Sequence, residues 1–289
     1  MFSISLMAQS QHKLLKKEPP DPIIFEIPDS IVTINPDGTP KEKKLFKYND
    51  NNKLLSFQKY LWNTSDSLWQ GVEREEWEYD NSDNVTLNIV YEWNDTINNW
   101  VGKYKIERAF DAKGNRTLSA IYLWNKDDND WRGEGSKNEY VYATRERHPT
   151  TTATYKWNEE KKDWEPKRLE ETYYNQYEDF IYGIEYKGVD GDWKLKSKNE
   201  RYYNVKRKIT GGRSYRWDDD TNDWITEFKY ENTYDILGRR TCNILYQWRE
   251  EYDRWAGLKT EYIYESEEKR KASESIKYKW NDITNEWVE

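Results

Sequence analysis

Apolar and polar positions alternate with a period of two through most of residues 43–289. In residues 85–110, "VTLNIVYEWNDTINNWVGKYKIERAF", Val85, Leu87, Ile89, Tyr91 and Trp93 alternate with Thr86, Asn88, Val90 and Glu92. That spacing predicts a β-strand with one apolar face. The loop "NDTINN" follows, and its Asn and Asp side chains bond their own backbone and tolerate unusual dihedrals, as a hairpin connection requires. Trp93 and Trp100 then face each other across the hairpin. The return strand ends in "FDAKGNRT", where Gly114 supplies the positive φ of a second tight turn.

The same pattern recurs about every 31 residues. Trp62/Trp69, Trp93/Trp100, Trp124/Trp131, Trp157/Trp164, Trp217/Trp224, Trp248/Trp255 and Trp280/Trp287 are pairs seven residues apart, and Tyr186/Trp193 is read as filling the remaining slot. Of the 16 tryptophans only Trp77 lies off this grid. A period of this length marks stacked supersecondary units, each dependent on its neighbours for burial. The expected fold is all-β, an antiparallel β-hairpin repeat array of about eight repeats and about 16 strands in a curved or spiralling open sheet. The outermost strands are expected to be the one ending at Tyr48 and "SIKYKW". Lys41, Lys43, Lys44, Lys47, Lys277 and Lys279 cluster there, as unpaired edges require. The expectation is therefore a monomer whose terminal strands do not pair with each other.

Residues 9–42 contain Pro19, Pro20, Pro22, Pro28, Pro36 and Pro40 and read as a linker with one short strand at "IIFEI". Residues 1–8 resemble the tail of a secretory signal, ending in Leu6-Met7-Ala8, and point to export. With 35% charged residues the chain has a disorder-like balance, but 16% aromatics supply the burial that disordered segments lack. A net charge of -8 argues against a nucleic-acid partner. Cys242 is the single cysteine, which excludes an intrachain disulfide, and no apolar run reaches the roughly 20 residues of a membrane helix.

The Tyr/Phe-Asp-x-x-Gly-Asn/Arg turn followed by a Tyr-x-Trp strand resembles the tyrosine-aspartate (YD) repeats of Rhs and teneurin-type shells. It is more similar still to Trp-rich YD-like arrays in secreted Bacteroidetes proteins, and the likeness covers roughly residues 43–289. The resemblance implies hairpins spiralling into a continuous antiparallel sheet, with repeats that are not catalytic. Most repeats here lack the turn glycine, and the self-cleaving domain that closes Rhs shells is absent.

Glu76, Glu107, Glu139, Glu171, Glu200, Glu231 and Glu261 form a second column, three residues before Tyr79, Phe110, Tyr142, Tyr174, Tyr203, Tyr234 and Tyr264. By strand parity most of them point away from the Trp pairs. They are expected to pair with Lys or Arg on the adjacent strand, such as Lys156, Arg216 or Lys279, and to set register. The loop "WDDDTNDW" gathers Asp218, Asp219, Asp220 and Asp223 but lacks EF-hand spacing, so it reads as turn chemistry with no metal or other cofactor. His12 and His148 have no nucleophile partner in sequence, and the common catalytic motifs are absent, so no catalytic residue is assigned and the chain is not read as an enzyme. The candidate ligand-binding residues are the aromatics that break the grid: Trp77, Tyr140, Tyr173, Tyr202 and Tyr262. The expected function is a noncatalytic binding module presenting an extended surface to a glycan or a cell-surface protein. A spacer or scaffold without a dedicated ligand is the alternative, and a glycan-active enzyme comes third.

Overall fold

The computed structural model describes residues 28–143, 148–250 and 253–289. The leader-like residues 1–8, the "IIFEI" segment and His12 lie outside them. The described residues form eighteen strands and no α-helix. The first nine are β1 (Ser30–Ile34), β2 (Pro40–Tyr48), β3 (Leu54–Asn63), β4 (Leu68–Tyr79), β5 (Val85–Asn94), β6 (Asn99–Phe110), β7 (Arg116–Asn125), β8 (Asp130–Tyr142) and β9 (Pro149–Asn158). They continue as β10 (Asp163–Tyr174), β11 (Phe180–Val189), β12 (Asp192–Tyr203), β13 (Ile209–Asp218), β14 (Asp223–Tyr234), β15 (Arg240–Arg249), β16 (Arg254–Ile263), β17 (Glu274–Asn281) and β18 (Glu286–Val288).

Each strand pairs antiparallel with the one before and the one after it, from β1–β2 through to β17–β18. The sheet is open: the β2 residues 43–48 pair with β1 and β3, and the β17 residues 274–280 pair with β16 and β18. Two strands exceed the sixteen expected. β1 extends the sheet into the proline-rich segment, and β18 returns from Trp280 through Trp287, so the outermost described strands are β1 and β18. The β2 lysines therefore serve inside the sheet. Lys43 lies over the Tyr60 and Trp69 rings, and Lys44 pairs with Glu42.

Seven Trp pairs meet across their hairpins, edge to face, with centroids 5.0 to 5.4 Å apart. In the Trp93/Trp100 hairpin Asn94 pairs with Asn99, leaving a four-residue loop in which the Asn94 side chain accepts the Thr96 amide. At the other end of the strands, Asp111 accepts the Lys113 and Asn115 amides, and the left-handed position falls on Gly114. Asn52, Asp83, Glu178 and Arg207 occupy that position in other turns, which is how the repeat dispenses with glycine there.

The eighth slot departs from the reading. Trp193 lies opposite Gly188, while Tyr186 lies opposite Leu195, because Asp190-Gly191 closes β11 to β12 in a two-residue turn. Tyr186 is thus the tyrosine of a Tyr-x-Trp strand in which Gly188 stands where the tryptophan is expected.

Packing between hairpins is a ring-on-glycine joint. A methyl group at Gly71 would lie 2.6 Å from the Trp100 ring, one at Gly102 2.7 Å from Trp124, and one at Gly133 2.5 Å from Trp157. Gly257 lies likewise beneath Trp287 and Trp280. Four of the seven Trp pairs therefore rest on the bare backbone of the preceding hairpin, two residues past that hairpin's second tryptophan, whereas Leu195 and Thr226 hold that position ahead of Trp217/Trp224 and Trp248/Trp255. Pro166 occupies this glycine position before β11, and there the roles are exchanged, since a methyl on Gly188 would meet the Pro166 carbonyl. Among the described residues only Ala120 and Ala153 are buried apolar side chains, so the sheet is a single layer with both faces accessible.

Candidate functional site

The glutamate column lies on the tryptophan face, opposite to the parity expectation. Single-residue bulges at Val72, Lys103, Lys167, Lys196 and Glu227 shift the register between the second tryptophan and the glutamate in β4, β6, β10, β12 and β14. One extra residue turns every later side chain to the other face. The cation partners also differ from the expectation. Arg74, Lys105, Lys137, Lys198 and Lys259, each two residues upstream on the same strand, pair with Glu76, Glu107, Glu139, Glu200 and Glu261 at 2.5 to 2.8 Å. Lys156 instead joins Glu165, and Arg216 joins Glu227 and Glu250, whereas Lys279 faces Leu258 and Val288.

Each cation also covers the tyrosine of the following Tyr-x-Trp strand. Arg74 lies over Tyr91, Lys105 over Tyr122, Lys137 over Tyr155, Lys198 over Tyr215, Lys229 over Tyr246 and Lys259 over Tyr278, at 4.2 to 5.3 Å from the centroids. The tyrosine hydroxyl returns to the carboxylate: Tyr91 donates to Glu76 at 2.7 Å, Tyr155 to Glu139 at 2.9 Å and Tyr215 to Glu200 at 2.9 Å. Burial and the Glu76 carboxylate push the Tyr91 phenol up to about 12. Burial opposes ionisation of Glu200, but its bonds from Lys198, Tyr202 and Tyr215 prevail and hold it below the usual carboxylate range.

The unit built on β10 and β11 has a different composition. Leu169 lies opposite Tyr186, where the cation stands in the sibling units. Glu171 accepts the Tyr186 hydroxyl at 3.1 Å, and among the described residues it has no ion-pair partner. Burial and Glu171 push the Tyr186 phenol up to about 12.

The five candidate aromatics do not converge. Trp77, Tyr140 and Tyr262 lie one residue past a ladder glutamate, hence on the face away from the tryptophans, opposite Asn88, Thr152 and Ser275. At about 4.8 Å between strands, β4 and β8 alone put Trp77 and Tyr140 roughly 19 Å apart. Arg116 sits over the Tyr140 ring, and Arg240 donates to the Tyr262 hydroxyl at 3.1 Å, so both rings have partners within the sheet.

Tyr173 and Tyr202 lie two residues past their glutamates, on the tryptophan face, and belong together. Tyr173 stacks on Tyr182 at 4.2 Å and 15°. Tyr182 faces Glu200 across β11 and β12, and Tyr202 donates to Glu200 at 2.6 Å while lying opposite Gly211, which leaves room for its ring. Tyr173 and Tyr202 are each 42% exposed. The negative charge of Glu171 raises the Tyr173 phenol above its ordinary range. An open groove of about 250 Å³ runs beside this platform, lined by Thr150, Thr151, Glu171, Thr172, Tyr173 and Tyr174. Tyr182 went unnoticed in the sequence because it keeps the strand alternation. The signal was there in the equivalent positions, where the other Tyr-x-Trp strands carry Ser56, Leu87, Leu118, Thr151, Gly211, Cys242 and Glu274.

In the acidic loop, the Asp218 carboxylate accepts the Asp220 amide and the Thr221 hydroxyl, as turn chemistry requires. His148 stacks near Tyr174 at 5.9 Å. Among the described residues no helix is long and apolar enough to cross a membrane.

No protein-family profile and no curated protein matches the chain. Among solved structures it is similar to a protein of unknown function from Bacteroides fragilis, at 16% identity over 57% of this chain and 93% of that one, with a TM-score of 0.22. It is similar to TcdB2-TccC3 at 12% identity over 90% of this chain, of which it spans only 16%, with a TM-score of 0.34. A porin-like protein from Bacteroides uniformis aligns at 11% identity over 80% of this chain and 93% of that one, with a TM-score of 0.28. These overlaps are loose, and the functional reading rests on the chain's own residues.

Proposed function

We propose that the chain is an exported, noncatalytic binding module of the YD-like repeat type, presenting an extended sheet face to a glycan or a protein. The tyrosine platform of Tyr173, Tyr182 and Tyr202 carries this reading. The array does not require those rings: positions equivalent to Tyr173 and Tyr202 hold Glu78, Ala109, Val141, Thr233 and Ile263 in other repeats. Half-exposed aromatic faces beside ordered carboxylates suit the C–H face of a sugar or an apolar side chain, with hydroxyls or amides to bond at the rim. The noncatalytic part is supported by the ladder carboxylates, most of which are engaged in the same cation and tyrosine contacts. A spacer role is the second reading, favoured by how completely the Trp pairs and glycines are used between hairpins.

A glycan array and a panel of cell-surface proteins, probed with the wild type and with a Tyr173→Ala/Tyr202→Ala double variant, test the proposal. The expected result is a hit weakened at least tenfold by the double variant while its melting curve stays close to wild type. Trp77→Ala is expected to leave that hit unchanged. Silence across both panels, or binding indifferent to the platform, overturns the proposal in favour of the spacer. Cell fractionation that leaves the chain in the cytoplasm overturns the export part.

A further inference from the structure

Six of the seven ladder glutamates have Arg or Lys two residues upstream on their own strand, and that cation covers the tyrosine of the next strand. In the seventh, Leu169 takes the cation's place, while the other two members are in position: Glu171 holds the Tyr186 hydroxyl at 3.1 Å. This is also the unit where Tyr173 is exposed and where a groove of about 250 Å³ opens along Glu171 and Tyr173. A carboxylate beside aromatic faces is a receptor for an organic cation, which gains charge pairing and ring contact together. The sibling units show within this one molecule that a lysine ammonium satisfies that pair of groups.

We propose that Glu171, with Tyr173 and Tyr186, binds a lysine or arginine side chain of a partner polypeptide. The inference rests on the binding reading above and narrows it to a basic protein partner at this unit. The net charge of -8 is complementary to such a partner and steers it toward the sheet. Because the groove is open to solvent, the guest cation enters while still attached to its own chain. Leu169 supplies an apolar wall for the guest's methylene stem, as such stems pack along apolar surface with the charge outward.

The test is an NMR titration of the full chain with Nα-acetyl-lysine amide, and in parallel with the same compound acetylated on its side-chain nitrogen. The charged probe is expected to shift the Glu171 and Tyr173 amides saturably, and the neutral probe to bind at least tenfold more weakly. Glu171→Gln is expected to reduce binding of the charged probe at least tenfold. Leu169→Lys, which rebuilds the sibling arrangement, is expected to abolish that binding and to melt at or above the wild-type temperature. Equal binding of the two probes, or a Leu169→Lys variant that binds as the wild type does, overturns the cation site while leaving the glycan and protein panels to judge the binding module separately. Shifts confined to residues away from β10 and β11 overturn it too.

Discussion

The hairpin of β5 and β6 and the hairpin of β11 and β12 are built from the same repeat and solve its packing in opposite ways. In the first, Trp93 and Trp100 rest on Gly71, Arg74 pairs with Glu76, and Tyr91 closes the set. In the second, Gly188 replaces the leading tryptophan, the glycine beneath it is Pro166, and Leu169 replaces the cation. The exchange of large and small partners keeps the sheet continuous, since bulk lost on one hairpin is matched by bulk gained on its neighbour. The difference teaches which residues the array needs and which it has released. Regular units use the aromatics of the Tyr-x-Trp grid for contact between units, and the irregular unit exposes a tyrosine stack.

The largest expected effect comes from removing a ring of the regular joint. Trp157 meets Trp164 and Tyr122 edge-on and lies over Gly133. Trp157→Ala should cost about 3 kcal/mol in denaturant melts, the low end for a large aromatic, because the ring is only partly buried. A cost below about 1 kcal/mol would mean that the rings do not couple the hairpins.

Adding a methyl group distinguishes the two kinds of joint. Gly188→Ala should cost about 3 kcal/mol, because its neighbour is the Pro166 carbonyl and backbone yields little. Gly102→Ala should cost about 1 to 2 kcal/mol, because its neighbours are the movable rings of Trp124 and Trp131. Urea midpoints of the two variants check the order, and the reverse order would break the distinction.

The same contrast extends to charge. Glu76→Gln removes an ion pair and a tyrosine contact and should cost about 0.5 to 1 kcal/mol, whereas Glu171→Gln, with no cation to lose, should cost less than about 0.3 kcal/mol. Equal costs would make the Leu169 substitution irrelevant to the ladder.

Acid should act on the regular ladder. The hydrogen bond and charge of Lys259 hold Glu261 below the usual value of 4.5. A depressed carboxylate adds stability above its unfolded value, and that contribution is lost as pH falls through the folded value. Melting temperature should therefore decline as pH drops below about 4.5, less steeply in Glu261→Gln than in wild type. At the alkaline end, Tyr91 is raised from 10.0 to about 12. Its unfolded form releases the proton first, so stability declines as pH rises between those values, and tyrosinate absorbance should appear late in the folded protein.

Much of the fold was legible in the residues because its strongest signal, paired tryptophans at fixed spacing, is also its main packing device. The face of the glutamates was not, since parity counting is blind to a bulge. A clue lay in the spacing: Trp69 to Glu76 is seven residues, while Trp255 to Glu261 in the unbulged β16 is six. The Asp190-Gly191 dipeptide likewise carried the sign of a two-residue hairpin that the count of seven between Tyr186 and Trp193 concealed. β1 was missed because its apolar residues, Ile31, Val32 and Ile34, sit among prolines in a segment read as linker. Of the candidate aromatics, Tyr173 and Tyr202 fell on one platform, and the other three sit on the reverse face, because a one-residue difference in position decides the side of a strand.

Four Trp pairs, Trp93/Trp100, Trp124/Trp131, Trp157/Trp164 and Trp280/Trp287, lie on the glycine of the preceding hairpin, and the repeat packing depends on that joint. A glycine-selective NMR spectrum reads this directly, because protons held beneath an indole ring are shifted upfield by its ring current. The Hα resonances of Gly71, Gly102, Gly133 and Gly257 should all be displaced upfield, with Gly38 and Gly114, which have open space around them, at ordinary positions. Ordinary positions for all four would contradict the joint and the repeat packing built on it.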